Sequence, residues 1–341
     1  MAKKVVTFGE IMLRLATPLY QRIVQATSFE ATYAGGEANV AASLANYGID
    51  AYFVTKLPPH EVGQACLAYL RKHGIKTDYI KMEGDRLGVY YLEAGASQRP
   101  SKVIYDRKDS AIAKVQPGDF NWDEIFAGAE LFHFTGITPA LSDSAAEVTL
   151  EAVKAAKKAG VTVSCDLNFR KKLWTSEKAN KVMSGLMEYV DIVIANEEDA
   201  EKVFGIKAHN TDVTTGKLND EGYKEVAQEL INRFNLQKVA ITLRESYSAS
   251  DNGWSAMLYD GKEFYKSRKY DIHIVDRVGG GDSFCGGLIY GLLSGMSNQD
   301  ALEFAVAASC LKHTIHGDFN LVSVEEVKNL MHGDGSGRVQ R

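Results

Sequence analysis

Short apolar segments alternate with longer amphipathic segments along most of the chain. Amphipathic stretches of helical period include residues 142–159, 175–189 and 219–234. Strands and helices that alternate at this spacing are typical of βαβ units around a parallel sheet. The pattern therefore predicts an α/β fold with a mostly parallel sheet flanked by helices. The apolar runs predicted as strands are residues 5–9, 51–57, 131–137, 161–168, 191–196 and 238–243.

Two stretches break this alternation. Residues 11–33 and 86–107 contain strand-like segments without intervening helices, and 86–107 is rich in Tyr, Ile and Val. We expect them to pair into a small separate sheet. Because no Gly/Ser linker or low-complexity run divides the chain, residues 1–331 are predicted to form one domain that includes this sheet. Residues 332–341 are expected to form a loose tail.

Composition limits the possible partners. The chain has 341 residues, 45% of them hydrophobic, and a formal net charge of −5, which indicates an ordinary globular protein. Nucleic acid and anionic membrane are disfavoured as partners, although a local basic pocket can still bind a small anion. No charged and apolar leader precedes the first strand pattern, and no apolar run approaches the roughly 18 residues of a membrane helix. We therefore expect a cytoplasmic protein.

The four cysteines do not suggest a metal site or a disulfide framework. They stand far apart in sequence, without the spacing of metal ligands, and three of them have apolar surroundings. Buried, reduced thiols with a structural role are the simplest interpretation. The four are Cys66, Cys165, Cys285 and Cys310.

The most unusual segment is DRVGGGDSFCGGL, at residues 276–288. After Asp282 the apolar residues Phe284 and Leu288 recur at helical spacing, so glycines 279–281 should open a helix. The first N–H groups of a helix lack intrahelical acceptors and attract anions, and glycine lets the backbone come close to them. Taken alone, Asp282 is either a stabilising first-turn acid or a functional carboxylate. The spacing matches neither a Walker loop nor a Rossmann fingerprint.

A second glycine cluster, AGGEANVA at residues 34–41, also precedes a helical pattern. Gly35 and Gly36 permit a tight turn, and Asn39 offers a side-chain amide to a polyol. A plain turn with a buried asparagine is the alternative interpretation.

Together the two clusters resemble the ribokinase-like, or PfkB, family of sugar kinases, and the resemblance covers essentially the whole chain. Arg277 stands where the family usually has Thr, and Gly280 where Ala is usual. Residues 196–199 replace the family's Asn-x-x-Glu, with Asp199 in place of the final Glu.

Within that family the match is narrower. Segments 9–15, 97–107, 166–174, 241–246, 276–284 and 313–319 resemble the 2-keto-3-deoxygluconate kinases, particularly the bacterial kind with Leu-Arg-Glu-Ser. The resemblance implies ATP-dependent phosphorylation of this sugar acid at its C6 hydroxyl. It also implies a Rossmann-like core, a β-sheet lid, and a homodimer formed through the lids.

The resemblance assigns residues to each part of such a site. Asp282 is the catalytic base, and Gly279, Gly280 and Gly281 form an anion hole. The resemblance also implies a magnesium ion held through water near Glu198 or Asp199. The residues implied for ATP are Asn168, Asn196, Thr242, Arg244 and Ser246, with Gly279 and Gly281. Those implied for the sugar acid are Gly35, Gly36, Asn39, Tyr90, Tyr105, Arg107, Arg170, Asp282 and Asp318.

The residue types suit this chemistry. An alcohol is a poor nucleophile, so a carboxylate within hydrogen-bond reach must take its proton. A sugar acid carries a carboxylate, which favours arginine because its planar fork binds such groups bidentately. A kinase for a neutral ketose such as fructose, and a sugar-acid sensor without catalysis, remain as alternatives. A dehydrogenase is disfavoured because the first strand lacks its glycine fingerprint.

Overall fold

The computed structural model describes residues 3–196, 198–207, 220–333 and 335. Its strands are β1 Lys4–Phe8, β2 Met12–Ala16, β3 Glu30–Ala34, β4 Asp50–Leu57, β5 Ile80–Met82, β6 Gly88–Glu93, β7 Lys102–Asp106, β8 Ala129–Thr135, β9 Thr162–Asp166, β10 Ile192–Ala195, β11 Lys238–Ser246, β12 Asp251–Tyr259, β13 Phe264–Lys266 and β14 Tyr270–His273. Its α-helices are α1 Gly36–Asn46, α2 Glu61–Lys72, α3 Trp122–Phe126, α4 Asp143–Lys158, α5 Ser176–Met187, α6 Asp199–Phe204, α7 Asp220–Phe234, α8 Gly280–Leu293, α9 Asn298–Lys312 and α10 Val324–Met331.

A ten-stranded sheet forms the centre of the molecule. Its order is β13-β12-β11-β10-β9-β8-β1-β4-β5, with β14 also paired to β12. The pairs from β11 through β1 to β5 are all parallel, which confirms the α/β prediction. The edge formed by β12, β13 and β14 is antiparallel, a feature that the sequence pattern did not predict.

Helices cover both faces of this sheet because both faces are apolar. Along β1, Val6 and Phe8 pack on the side of α3, α4, α5 and α7, while Val5 packs on the opposite side. That opposite side is covered by α1, α2, α8 and α9. Strands buried on both faces read as continuous apolar runs, which explains why the sequence pattern located them. The two helices that matter most for the site, α1 and α8, pack directly against each other.

A smaller sheet lies apart from the central one. Its order is β3-β2-β6-β7, in which β2 and β6 are parallel and the outer pairs are antiparallel. It is built from the two segments, 11–33 and 86–107, that were expected to pair with each other. The prediction of a second, smaller sheet is therefore confirmed. We refer to this sheet as the lid.

Other sequence expectations fall on particular regions. Of the expected tail, 332–341, residue 334 and residues 336–341 lie outside the described part of the chain. Within the described part, no helix has the length and apolarity to cross a membrane. All four cysteines are free, and Cys66, Cys165 and Cys285 are buried as expected.

Candidate active site

Helix α8 begins at a glycine that no other residue can replace without rearrangement. Gly279 caps the helix with φ of 83°, in the left-handed region that glycine tolerates best. A Cβ atom there would overlap the backbone of Asp318. The glycine therefore serves two purposes, because it turns the chain and allows the segment around Asp318 to lie against the loop.

The first turn of α8 presents free donors to a cavity. Gly280 N–H reaches the Arg277 carbonyl at 3.4 Å, but within the described part of the chain Gly279, Gly281 and Asp282 have no acceptor for their N–H groups. All of these residues line a cavity of about 350 Å³. Unpaired N–H groups at a helix start bind anions, and a transferring phosphoryl group is such an anion. We call this cavity the donor cavity.

The three glycines are not equivalent. A Cβ atom on Gly280 would overlap the ring of His313, whereas a Cβ atom on Gly281 would meet no atom within 4 Å. Gly280 is thus needed for packing behind the loop, and Gly281 leaves the cavity side open. The sequence analysis had assigned all three glycines to the anion hole.

Asp282 lies where two cavities meet. Besides the donor cavity it lines a smaller one of about 90 Å³, which we call the acceptor cavity. Its carboxylate accepts a hydrogen bond of 2.6 Å from Asn39 Nδ2. Burial raises the pKa of Asp282 to about 6, although Asn39, Arg170 and Lys312 act in the opposite direction. A carboxylate with this pKa is ionised at neutral pH and still basic enough to accept a proton.

The donor cavity is rich in charge. Three arginines line it: Arg170, Arg244 and Arg277. Two carboxylates, Asp166 and Asp199, also line it, and both are buried. Burial raises the pKa of each, and that of Asp166 is raised further by Asp199 and Asp282. A cavity lined by arginines and by buried carboxylates without an ion pair in the described residues suits a polyphosphate that brings a divalent ion with it.

Most residues predicted for the nucleotide lie on this cavity. Asn168 and Asn196 line it just after β9 and β10, and Thr242 and Arg244 line it from within β11. Ser246 does not line it; it is exposed and pairs with Asn252 on the antiparallel edge. The strand pattern had ended at residue 243, and the extension of β11 to 246 carries Ser246 away from the cavity.

The two acids proposed near magnesium are separated by the structure. Glu198 is exposed and is not a lining residue, whereas Asp199 is buried and accepts N–H bonds from Phe169 and Asn196. No group of three or more His, Cys, Asp or Glu in the described ranges is arranged to bind a metal. Asp199 and Asp166 can therefore assist a magnesium ion held largely by phosphate and water.

The acceptor cavity gathers residues from the lid and from the core. Every residue that the sequence assigned to the sugar acid lines it, which brings together positions as distant as 35 and 318. The nine are Gly35, Gly36, Asn39, Tyr90, Tyr105, Arg107, Arg170, Asp282 and Asp318.

The two arginines of the acceptor cavity differ in their partners. Arg107 directs Nε and Nη2 to the buried carboxylate of Glu10, which also accepts the Ser110 hydroxyl at 2.9 Å. Arg170 is exposed, and in the described residues it forms no ion pair; its Nη1 donates a 3.3 Å hydrogen bond to the Phe169 carbonyl. The charge of Arg107 is already balanced, so Arg170 is the cation available to a ligand.

Asp318 is held from both sides. Tyr90 donates to it at 2.8 Å, and Arg14 on β2 forms ion pairs with both Asp318 and Asp276. Arg14 is only 5% exposed. One strand of the lid is thereby tied to both ends of the segment that carries the glycine loop. Sequence reasoning missed this network because its members are separated by up to 304 residues.

Other site residues were also missed. Asp166 ends an apolar strand run at the sheet edge where ligands bind in open α/β folds, so its position was a usable signal. Glu37 lies inside the second glycine cluster. Arg277 was noted only as a departure from the family pattern. Glu10 and Arg14 follow the first strand and carry no local signal of their own.

A fold of this kind, with a helix-start anion site and an adjacent carboxylate, is that of a sugar kinase, and comparison with known proteins agrees. The model of the "pfkB family carbohydrate kinase" matches residues 2–323. The solved 2-dehydro-3-deoxygluconokinase of Thermotoga maritima is 56% identical, with a TM-score of 0.94 over 97% of this chain and 100% of that one. The chain belongs to the pfkB family of carbohydrate kinases.

Two curated relatives extend the comparison. The 2-dehydro-3-deoxygalactonokinase of Haloferax volcanii is 34% identical over 99% of both chains. The 2-dehydro-3-deoxygluconokinase of Bacillus subtilis is 28% identical over 94% of this chain and 93% of its own. "2-Dehydro" and "2-keto" denote the same group, so these names describe the substrate class that the sequence indicated or its epimer.

Proposed function

We propose that the protein uses ATP and Mg²⁺ to phosphorylate the C6 hydroxyl of 2-keto-3-deoxygluconate, giving 2-keto-3-deoxy-6-phosphogluconate and ADP. The observation that carries this proposal is the position of Asp282, beside free N–H donors and between a charge-rich cavity and a lid-covered one. The 56% identity to the Thermotoga maritima enzyme supports the choice of sugar acid.

Asp282 acts as the general base in this mechanism. The acceptor hydroxyl gives its proton to the Asp282 carboxylate while its oxygen forms the new bond to phosphorus, and the bond from phosphorus to ADP breaks. Asn39, which donates from Nδ2 to Asp282 Oδ2, fixes the orientation of that carboxylate. The ionised form is required, so a pKa of about 6 leaves Asp282 competent at neutral pH.

The backbone of the glycine loop binds the group that is transferred. The N–H groups of Gly279, Gly281 and Asp282 face the donor cavity without protein acceptors in the described part of the chain. They are fixed before the reaction and offset the charge that develops on the phosphoryl oxygens. Magnesium, assisted by Asp199 and Asp166, would neutralise further phosphate charge.

The carboxylate of the sugar acid is bound by Arg170, the arginine of the acceptor cavity that has no carboxylate partner in the described residues. Arg170 lines both cavities, and its field also reaches Asp166, Asp199 and Asp282. The acceptor cavity supplies Tyr105 and Arg107 from the lid side for the remaining hydroxyl and keto oxygens. Asp318, already bonded to Tyr90 and Arg14, is a further acceptor for a sugar hydroxyl.

Coupled ADP release with a panel of acceptors tests the proposal. The panel contains 2-keto-3-deoxygluconate, its galactonate epimer, gluconate and fructose, each with and without Mg²⁺. We expect kcat/KM to be highest for the two keto-deoxy acids. A preference for fructose would instead favour the neutral-ketose alternative, and ATP binding without turnover of any sugar would favour the sensor.

The lid also supports the expected homodimer. Nine large hydrophobic side chains are exposed in the described residues, and six of them lie in the lid segments. Clusters of this kind mark protein interfaces more often than chance exposure does. Val24→Glu should convert a dimer to a monomer in analytical ultracentrifugation, and an unchanged sedimentation coefficient would contradict this interface. The six exposed hydrophobic residues of the lid segments are Leu19, Tyr20, Val24, Phe29, Ile104 and Tyr105.

We place the enzyme in the cytoplasm.

A further inference from the structure

A buried lysine lies behind the glycine loop, on the side away from both cavities. Lys312 is the last residue of α9 and is 0% exposed. Its Nζ donates to the backbone carbonyl of Asp276 at 3.1 Å. Lysine is almost never buried so completely unless it is paired, and the mechanism above does not use it. Its location therefore calls for a physical reason.

The last turn of α9 holds both ends of the loop. The Ser309 hydroxyl donates to the Gly280 carbonyl at 2.7 Å, and the His313 carbonyl accepts the N–H groups of Val275 and Asp276 at 2.8 and 3.2 Å. The His313 ring fills the space against Gly280. Burial lowers the pKa of His313 to about 4, so this ring is a neutral packing group. Lys312 is thus the charged member of the three α9 residues, with Ser309 and His313, that hold the loop from behind.

The neighbours of Lys312 explain how a cation persists there. Burial lowers the pKa of Lys312, but the carboxylates of Asp276, Asp318 and Asp282 oppose that effect, while Arg14 adds to it. Arg14 forms ion pairs with Asp276 and Asp318, so their charge is already shared. Asp282, which has no ion pair in the described part of the chain, is the remaining acid in the field of Lys312.

The peptide groups of the loop have two sides. The N–H groups of Gly279, Gly281 and Asp282 have no acceptor in the described part of the chain, and these residues line the donor cavity, whereas the carbonyls of Asp276 and Gly280 accept hydrogen bonds from Lys312 and Ser309. A cation behind the carbonyls adds to the positive potential in front of the N–H groups, where phosphate charge accumulates.

We infer that Lys312 is a positioning residue for phosphoryl transfer: its ammonium group fixes the carbonyl side of the glycine loop and keeps Asp282 in its ionised form. This role rests on the proposed function of Asp282 and the loop. It requires no contact of Lys312 with either substrate, in keeping with its burial behind the site.

Kinetics of Lys312→Met and Lys312→Gln test the inference. Met removes the charge and the donor at similar length, whereas Gln keeps a neutral donor for the Asp276 carbonyl. We expect kcat to fall by about 10- to 100-fold in the Met variant, less than the roughly 10²–10³-fold typical of losing a direct anion-hole donor. The KM for the sugar should change by less than about threefold, and Gln should lie between Met and wild type.

A second readout does not depend on the sugar. Lys312 lowers the pKa of Asp282, so the pKa measured by carboxyl-carbon NMR of the free enzyme should move upward in both variants. The acid limb of kcat/KM should move in the same direction. A merely structural lysine would alter neither the pKa nor the limb in a variant that remains folded.

A matched control is Lys56→Met. Lys56 is also buried, at 4% exposure, but it pairs with Glu83 and Asp119, and none of the three lines either cavity. We expect this control to lose stability without an upward shift in the Asp282 pKa. An equal shift in the control, an unchanged pKa in folded Lys312→Met, or failure of both Lys312 variants to fold would each overturn the inference. Wild-type enzyme without activity on any sugar would contradict the proposed function, while the NMR titration would still decide the role of Lys312.

Discussion

Two helix starts in this protein carry almost the same sequence. Gly-Gly-Glu at 35–37 opens α1, and Gly-Gly-Asp at 280–282 opens α8. Glu37 is 1% exposed, and its Oε1 accepts the Thr135 N–H and the hydroxyls of Thr135 and Thr138. Asp282 receives one side-chain donor, from Asn39, and faces both cavities.

This difference shows that hydrogen-bond donors from other parts of the fold determine whether an acid in the first turn of a helix is structural or available to a substrate. Burial raises the pKa of both carboxyl groups, to about 7 for Glu37 and about 6 for Asp282. A shifted pKa therefore does not distinguish them. The number of protein donors does, because three donors occupy Glu37 and leave it structural, whereas Asp282 keeps room for a substrate hydroxyl.

The largest expected effect comes from removing the acid that faces the cavities. Asp282→Asn should fold and bind ATP but lose about 10²–10⁴-fold in kcat, since general-base catalysis typically supplies that much. Single-turnover kinetics with calorimetric ATP binding measure both properties. A loss below tenfold in the folded variant would remove Asp282 from the base role and break the contrast with Glu37.

The next effect concerns which arginine the substrate uses. Arg170→Ala should reduce kcat/KM for the sugar acid by roughly 10- to 150-fold, as expected for one charge-assisted contact of about 1.5–3 kcal/mol. Arg107→Ala leaves Glu10 buried without its partner, so it should also lower the melting temperature. Arg107→Lys keeps the charge and loses the fork, and should fall between wild type and the alanine variant.

The loss in Arg170→Ala is interpreted by comparing the activity of the variant on the sugar acid and on a neutral sugar. Arg170→Ala should lose much less activity on fructose than on the acid. Equal losses on charged and neutral sugars would show that Arg170 serves phosphate rather than the substrate carboxylate, which its position on both cavities allows.

Two adjacent glycines of α8 should respond in opposite ways. Gly281→Ala places its Cβ in open space on the cavity side, so we expect turnover to fall about tenfold while stability rises by about 0.4–1 kcal/mol. Gly280→Ala forces its Cβ into the His313 ring and should destabilise the fold by about 1–3 kcal/mol. Comparing kcat with the denaturation midpoint separates them. Similar effects at both positions would refute the division of roles.

The smallest effect on turnover is expected at Glu37. Its folded pKa of about 7 lies above the ordinary value of 4.5, so its protonated form contributes stability that is present below about pH 4.5 and lost as pH rises through 7. Glu37→Gln should flatten this decline and change kcat by less than about tenfold. Chemical denaturation at pH 5 and pH 8 measures the slope. A steeper decline in the variant would contradict the protonated state.

The hydrophobic pattern of the sequence predicted the strands of the central sheet and the two segments of the lid. The six apolar runs became β1, β4, β8, β9, β10 and β11, and the two helix-free stretches became the lid. The glycine loop and Asp282 were recognisable because backbone flexibility and charge occur together in seven residues. The antiparallel edge was missed, since β12, β13 and β14 were not among the six apolar runs, and β12 begins with Asp-Asn-Gly, which does not resemble a strand.

Ion pairs and hydrogen bonds between residues far apart in sequence could not be predicted from the hydrophobic pattern. The pairing of Arg107 with Glu10 joins residues 97 apart, and nothing local at either position reveals it. The same holds for Lys312 behind Asp276 and for Arg14 between Asp276 and Asp318. Such pairs form only after the chain has folded, so residue types could be read from the sequence but their partners could not.

The Arg14 network determines which part of the lid can move to admit a substrate. Lifting β2 from the core would separate Arg14 from two buried carboxylates, and breaking such a pair typically costs about 3–5 kcal/mol. At the opposite edge, β7 is mostly exposed and carries Tyr105, with Arg107 just after it. We therefore expect β2 to stay on the core while the lid opens, so that the glycine loop remains assembled. Arg107 also ties the end of β7 to the buried Glu10, so a sugar that enters past Tyr105 must do so without separating that pair or must replace it.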